Sequence, residues 1–382
     1  MREIEECVVI GAGPVGLAAA VHITERGVAP LVLEAGASAG SNIQSWGHVQ
    51  LFTPWALNLD ELSARRLALS GWDYPDLMDI PTGHEFCRDY LLPLSQLPGL
   101  KENIRYGAKV VRVSHQESFF HVHTSDGGLV RARALLDCSG TYDNKRSLPL
   151  FSAHEASGSR IFTSIPDFAD PGTIDTLLGG IVAVVGGGHS ALSSVYGLLL
   201  LREAKPDVKV LWLLNTNTKE TVVEKEKTYF KDVPFGYVVD ALHALDHAVQ
   251  HDLVDVITEF ELTEVVRDQS GVKLTSANGQ KVHASSAIIN IGFHPDYGIY
   301  ENIDEPMNPL TCVDGIYEHI KPSENTCLTV REQKLPQLLQ ETKGHFVLGQ
   351  KSYGTASTFL LKTGYGQINV VADHLVGSLV GA

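Results

Sequence analysis

Residues 6–36 read ECVVIGAGPVGLAAAVHITERGVAPLVLEAG, and the rest of the chain is organised around them. Val8, Val9 and Ile10 form an uninterrupted apolar run, as expected of a strand buried on both faces. Gly11, Gly13 and Gly16 follow at GxGxxG spacing. Leu17 to Arg26 reads as a helix, with Gly27 suited to its C-terminal cap. Leu31, Val32 and Leu33 make a second strand that ends in Glu34. The three glycines serve three needs: a tight turn, close approach of the backbone to a pyrophosphate, and close packing of helix on strand. The free N–H groups of the helix start point at the phosphates. Glu34 stands where a carboxylate accepts bonds from both ribose hydroxyls. Strand, glycines, helix and acid in this order predict a dinucleotide cradle.

A chain of 382 residues has room for about two domains. Hydrophobic residues make up 44% and charged ones 20%, ordinary for a globular protein. The net charge of −15 argues against nucleic acid and disfavours an anionic membrane surface. The opening MREIEE is acidic and short, so no secretory signal is expected. No apolar run reaches the length of a membrane span. The five cysteines are scattered, with no CxxC spacing, metal cluster or disulfide framework. A reducing cytoplasm is the expected setting.

After Glu34 comes a loop-rich stretch in which Trp46, Phe52 and Trp55 alternate with Asn42, Gln44, His48, Gln50 and Asn58. It is too long and too aromatic for a plain connector. Either it folds back over the bound nucleotide, or its aromatics are core. Thr82 and Glu85 form a capping box that starts a helix through about Leu92, ended by Pro93. A meander follows: Val110–Val113, Phe119–Thr124, the Asp126-Gly127-Gly128 turn, then Leu129–Ala132. It runs into a buried strand, Ala134 to Gly140, stopped by glycine.

The pattern then recurs. Ile181–Val185 is a buried strand, and Gly186, Gly188 and Ala191 repeat the fingerprint as GxGxxA. A helix runs on to about Glu203, and Val208–Leu214 is the next strand. A second meander ends in another glycine-stopped strand, Ala287 to Phe293. The chain therefore holds two dinucleotide-binding units of like plan. They differ at the ribose position, where the second has Asn215-Thr216-Asn217-Thr218 with Lys219 close by. A carboxylate there would repel a 2′-phosphate, so NADPH is expected ahead of NADH. His243, His247 and His251 fall four apart on one helical face; a packed or exposed helix accounts for them as well as a metal does. A third glycine-stopped strand, His345 to Gly349, precedes a closing helix from about Tyr365 to Leu375.

This order resembles the two-dinucleotide-binding-domain flavoproteins of the pyridine nucleotide-disulfide oxidoreductase superfamily. The residues that carry the resemblance are GAGPVG with Glu34, LLDCSGTYDN, VVGGGHSA, IINIGFHPD and HFVLGQ, and together they cover nearly the whole chain. It implies an α/β fold of two Rossmann-like, three-layer dinucleotide-binding domains, the second inserted in the first. The expected spans are 1–165 and 287–382 for the FAD domain and 166–286 for the NAD(P)H domain. Within the family the chain looks most like the flavin-containing and N-hydroxylating monooxygenases, whose Gly-Gly-x-Trp segment is matched by GSNIQSWGHVQLF.

The resemblance implies FAD on Gly11, Gly13, Pro14, Gly16, Glu34 and Ala35, with Gln44, Trp46 and Val111 beside it. Ser139, Gly140, Gly349 and Gln350 complete that site. It implies NADPH, with NADH the alternative, on Gly186, Gly188, His189, Ser190, Ala191, Asn215, Lys219 and Gly292. Trp46, His48 and Asn58 would shape the flavin face as catalytic residues. The implied activity is NADPH-driven monooxygenation of a small molecule by O2 through a flavin C4a-hydroperoxide. The alternatives are a reductase of a quinone, metal or other acceptor, and a non-catalytic redox sensor. A homodimer would be an ordinary assembly. Two departures stand out: the redox CxxC of the disulfide reductases is missing, and the monooxygenase FxGxxxHxxx(Y/F) signature is broken, with Phe162 or Thr163 in the histidine's place.

Overall fold

The run at Val8–Ile10 ends a strand, Glu5–Ile10, whose last four residues are buried. Alternate side chains enter two different cores, Cys7 and Val9 one, Val8 and Ile10 the other, as period-two geometry requires. Parallel neighbours flank it. Leu31–Leu33 pairs in the register Val8 to Leu31, and the end of Leu129–Asp137 pairs in the register Ile10 to Asp137. The computed structural model describes residues 4–146, 160–217, 236–267, 269–301, 303, 333–340, 342–354 and 359–380.

The chain divides into two compact units, Met1–Asn144 with His294–Ala382, and Lys145–Phe293. The second is thus inserted in the first, but the crossings fall at 144/145 and 293/294, not at the expected 165/166 and 286/287. The reason is the short strand Ile161–Phe162, which pairs parallel with Ser286–Ile289 and so belongs to the inserted unit's sheet. A single antiparallel bridge between Lys145 and Phe293 closes that unit at its two ends.

In the first unit one sheet runs Tyr300–Glu301, Val110–Gln116, Phe119–Thr124, Leu129–Asp137, Glu5–Ile10, Leu31–Leu33, Ile104–Arg105. The two expected strands Leu129–Ala132 and Ala134–Gly140 are one. Its first half pairs antiparallel with Phe119–Thr124, its second half parallel with both Glu5–Ile10 and His345–Val347. Helices Pro14–Glu25 and Leu361–Val380 supply Leu17, Val21, Ile368 and Val371 to the core on one face. Meander residues Val113, Phe120 and Val122 meet Leu33 and Leu135 on the other. The closing helix begins a turn earlier than its apolar pattern suggested and extends to Val380.

The inserted unit repeats the plan. Its parallel sheet has the order Val254–Ile257, Lys209–Leu213, Ile181–Val185, Ser286–Ile289, Ile161–Phe162. Val182 and Val184 pack against Leu192 and Val195 of helix His189–Ala204 and Leu245 of helix Gly236–Gln250. Ala183 and Val185 pack instead against Val265 and Leu274. Those two belong to a separate three-stranded antiparallel sheet, Leu262–Arg267, Val272–Ser276 and Lys281–Ala284. Both units are therefore three-layer α/β structures.

The capping box forms as expected: Glu85 N donates to Thr82 Oγ1 at 3.2 Å, and Thr82 N donates to Glu85 Oε2 at 2.8 Å. The helix does not stop at Pro93. A π turn, Cys87–Leu91, intervenes between Gly83–Phe86 and Leu92–Ser95. The wider turn makes room for a ring that would otherwise strike the carbonyl four residues back. Among the described residues no helix is long and apolar enough to cross a membrane, and no group of three or more His, Cys, Asp or Glu side chains could hold a metal ion. His247 and His251 simply stack, with ring centroids 4.0 Å apart.

Candidate functional site

The first cradle follows from backbone geometry. Gly11 has φ 96°, and a Cβ there would lie 3.0 Å from the Cys138 carbonyl oxygen. A Cβ at Gly16 would lie 1.9 Å from the Gly11 carbonyl oxygen, so helix and turn touch there. Gly13 is the opposite case, with nothing within 4 Å of the Cβ position. It is the N-cap of helix Pro14–Glu25, in extended conformation and with no side-chain capping bond. The first-turn N–H groups have no partner within the helix, and the space beside Gly13 suits a diphosphate. The Glu34 carboxylate accepts from Ala12 N at 2.6 Å through Oε2 and from Gly36 N at 2.7 Å through Oε1. Each oxygen keeps a lone pair for a ribose hydroxyl. Ala35 beside it is exposed. Space, donors and acid all fit the diphosphate and ribose of FAD.

The second cradle has the same parts. Gly186 has φ 128°, and a Cβ there would lie 2.2 Å from the Asn290 carbonyl oxygen. Gly188 caps helix His189–Ala204 from an extended conformation, again with nothing within 4 Å. Trp212, fully buried, donates its indole N–H to the Gly186 carbonyl at 2.8 Å and fixes the turn. The Ser194 hydroxyl lies 2.8 Å from Asn290 Oδ1 and 2.9 Å from the Ser190 carbonyl, tying helix to strand end. Gly292, at φ 94°, opens onto free space. Asn215 is exposed past the end of strand Lys209–Leu213, and Lys219 lies outside the described residues.

The remaining first-unit residues divide. Trp46 packs against the start of helix Gly83–Phe86, where a Cβ at Gly83 would come 3.0 Å from its ring. The same ring lies 6.0 Å from that of Tyr142, just past the Ser139-Gly140 turn. The aromatic segment and the glycine-stopped strand are thus brought together. His48 is half-buried two residues on. Gln44 is turned inward, its amide donating to Ser38 Oγ and the Ala39 carbonyl at 3.0 and 2.9 Å. Asn58 is buried, and both ends of its amide are taken by Thr53, at 2.8 and 2.7 Å. Its side chain serves its own loop. Val111 is the extra residue of a bulge between Val110 and Arg112 and stands 46% exposed. Gly140 (φ 72°) is open, whereas Gly349 (φ 74°) abuts Val15 and gives its N–H to Gln367 Oε1 at 2.7 Å. Gln350 is the second residue of the turn Gly349–Tyr353.

Beneath these turns lies a polar network that the sequence reading passed over. Asp137, the last residue of strand Leu129–Asp137, is fully buried and pairs with buried Lys351 at 2.6 Å. Ser139 donates to the same carboxylate from its N–H at 3.0 Å and its hydroxyl at 2.6 Å. The Tyr300 hydroxyl donates to it as well. Burial pushes the Asp137 carboxyl up, but Lys351 and these donors outweigh it and hold the carboxyl down at about 2. Nearby His345 is pushed down to about 4, chiefly by burial. A carboxylate in the otherwise apolar ALLDCSG was the available signal, because a buried charge demands a partner. Cys7, Cys87 and Cys138, the described cysteines, are buried free thiols raised by burial.

Comparison with known proteins agrees with this architecture. Monooxygenase 2 of Arabidopsis thaliana is 28% identical over 158 residues, covering 36% of this chain and 38% of that protein. A ferredoxin–NADP reductase of Lactococcus lactis is 28% identical over 214 residues, 54% of each chain. The chain thus spans about half or less of these two relatives. The bacillithiol disulfide reductase Bdr (YpdA) of Bacillus cereus superposes with a TM-score of 0.67 at 15% identity, over 98% of this chain and 99% of its own. The family model for pyridine nucleotide-disulphide oxidoreductases matches residues 8–308. The chain belongs to the pyridine nucleotide-disulphide oxidoreductase family.

Proposed function

We propose that this flavin-dependent oxidoreductase binds FAD in the first unit and NADPH in the second, and uses them with O2 to oxygenate a small organic molecule. When bound, FAD supplies two-electron chemistry and reactivity towards O2 that no side chain has. The chain's own part is binding, orientation and exclusion of water. Gly13 and the helix start after it hold the diphosphate, Glu34 the ribose, and Ser139, Gly140 and Gly349 shape the far end. The observation that carries the reading is the pairing of Trp46 with Tyr142 beside the Ser139-Gly140 turn. Two aromatic rings at that place make an apolar wall that would keep water from the reacting atoms. The lack of CxxC in the sequence removes the dithiol that a disulfide relay would need. The absence of an acid at Asn215 favours NADPH over NADH.

The match to a ferredoxin–NADP reductase supports a second reading, electron transfer to an acceptor without oxygen insertion. Aerobic turnover with NADPH and a panel of amines, thioethers and ketones separates the two. The expected result is product one oxygen heavier, formed in proportion to NADPH consumed. NADPH consumption matched by peroxide or by reduced acceptor, with no oxygenated product, would overturn it.

A further inference from the structure

The two turns assigned to the far end of FAD come from distant parts of the chain. Ser139-Gly140 follows strand Leu129–Asp137, and Gly349–Tyr353 follows strand His345–Val347. A backbone bond between them runs from Leu348 N to the Asp137 carbonyl, at 2.9 Å. Beyond it, Lys351 joins them. Its ammonium donates to Asp137 Oδ2 at 2.6 Å and to Ser139 Oγ at 3.2 Å. It also lies 5.5 Å from the ring centres of both Tyr297 and Tyr300. Tyr297 in turn donates its hydroxyl to the Lys351 carbonyl at 3.0 Å. A hydrophobic pair could fill this space at little cost in stability. It could not orient the Ser139 hydroxyl or fix the turn that hydroxyl belongs to.

We propose that Lys351 is a positioning residue for the flavin nucleotide, clamping the Gly349–Tyr353 turn to the Ser139-Gly140 turn so that FAD is held tightly only while both are joined. This rests on the assignment of FAD to the first unit. The clamp has a signature that a packing role lacks. Facing Asp137 are Lys351, Tyr300, His345 and its own neighbour Cys138, with Cys7 and His115 behind them. Burial keeps His345 neutral near neutral pH, so it cannot replace Lys351 as the partner of Asp137. With Lys351 present the Asp137 carboxylate stays ionised throughout the working range. With Lys351 gone, only the bonds from Ser139 and Tyr300 oppose burial, and the carboxyl rises. FAD binding would then strengthen as pH falls.

The test is titration of FAD into full-length apoprotein, followed by quenching of flavin fluorescence, from roughly pH 6 to pH 8.5, a range that brackets a raised carboxyl. The expected wild-type dissociation constant varies little with this site's protonation. Lys351→Met should weaken binding by about tenfold or more at the alkaline end. It should recover only in part at the acid end, by at most about tenfold per pH unit, because protonation removes the stranded charge without rejoining the turns. Asp137→Asn/Lys351→Met should lose that slope. Should Lys351→Met not fold, Asp137→Leu/Lys351→Leu keeps the core filled; near-wild-type melting with weakened FAD binding is expected. Wild-type affinity in either variant, or a Lys351→Met deficit independent of pH, overturns the clamp. Wild-type protein that binds no FAD overturns the site assignment, and the clamp with it.

Discussion

At the scale of single residues, the two fingerprints look alike and are packed differently. A Cβ at Gly16 would stand 1.9 Å from the Gly11 carbonyl oxygen, and neither backbone can give way. At the matching place the second unit carries Ala191, whose Cβ would lie 3.5 Å from a Cβ placed on Gly186. Gly16→Ala should therefore cost the first unit about 3 kcal/mol through overpacking. Ala191→Gly should cost the second about 1 kcal/mol, the helical penalty of glycine. Urea unfolding of the FAD-free variants checks both, and equal losses would refute the difference in closeness. The fingerprint glycines and Glu34 were legible because local geometry alone dictates them. Lys351 was not, since its partner Asp137 is 214 residues away and nothing local announces the contact.

At the scale of elements, helix Glu61–Leu69 is fastened to helix Pro14–Glu25 by a surface ion pair of Arg66 with Glu25 at 3.0 Å and by one buried carboxylate. Asp60 caps the former, accepting from Ser63 N at 2.9 Å and Ser63 Oγ at 2.6 Å. The same group pairs with buried His22 of the latter at 3.0 Å. Burial pushes the Asp60 carboxyl up, but the bonds from His22 and Ser63 outweigh it and leave it below the ordinary value. A depressed carboxyl stabilises the fold above the unfolded value, about 3.9, and that stability is lost as pH falls through the folded one. Asp60→Ala should cost about 3 kcal/mol, from a lost cap and a stranded histidine. Asp60→Asn, which keeps the cap, should cost less and should flatten the acid limb of a stability–pH curve. An unchanged acid limb in Asp60→Asn would show that another group governs it. Periodicity and caps located most elements, because both are local. The π turn before Pro93, the fusion of two strands into Leu129–Asp137 and the two-residue strand Ile161–Phe162 were hidden, because each depends on what packs beside it. The misplaced domain crossings follow from that last strand, too short to show any period.

At the scale of the whole molecule, the proposed function gives two units of one plan two different ligands, and each assignment can be broken alone. Gly13 and Gly188 both lie in extended backbone with nothing around their Cβ positions. A Cβ there has no neighbour within 4 Å beyond the adjoining residues, so folding should change by about 1 kcal/mol, the scale of an N-cap substitution. In the proposed function it would meet the ligand's diphosphate. Saturating ligand at a hundred times its dissociation constant stabilises a folded protein by about 2.7 kcal/mol, which thermal melting resolves readily. Wild type should melt higher with FAD and higher again with NADPH. Gly13→Val should lose the FAD response, and the purified protein should be colourless. Gly188→Val should stay yellow and keep the FAD response while losing that to NADPH. The crossed pattern matters more than either loss, because a variant that merely misfolds loses both. If Gly13→Val retained FAD, or if one substitution abolished both responses in a folded protein, the two sites would not be the separate cradles that their matching glycines imply.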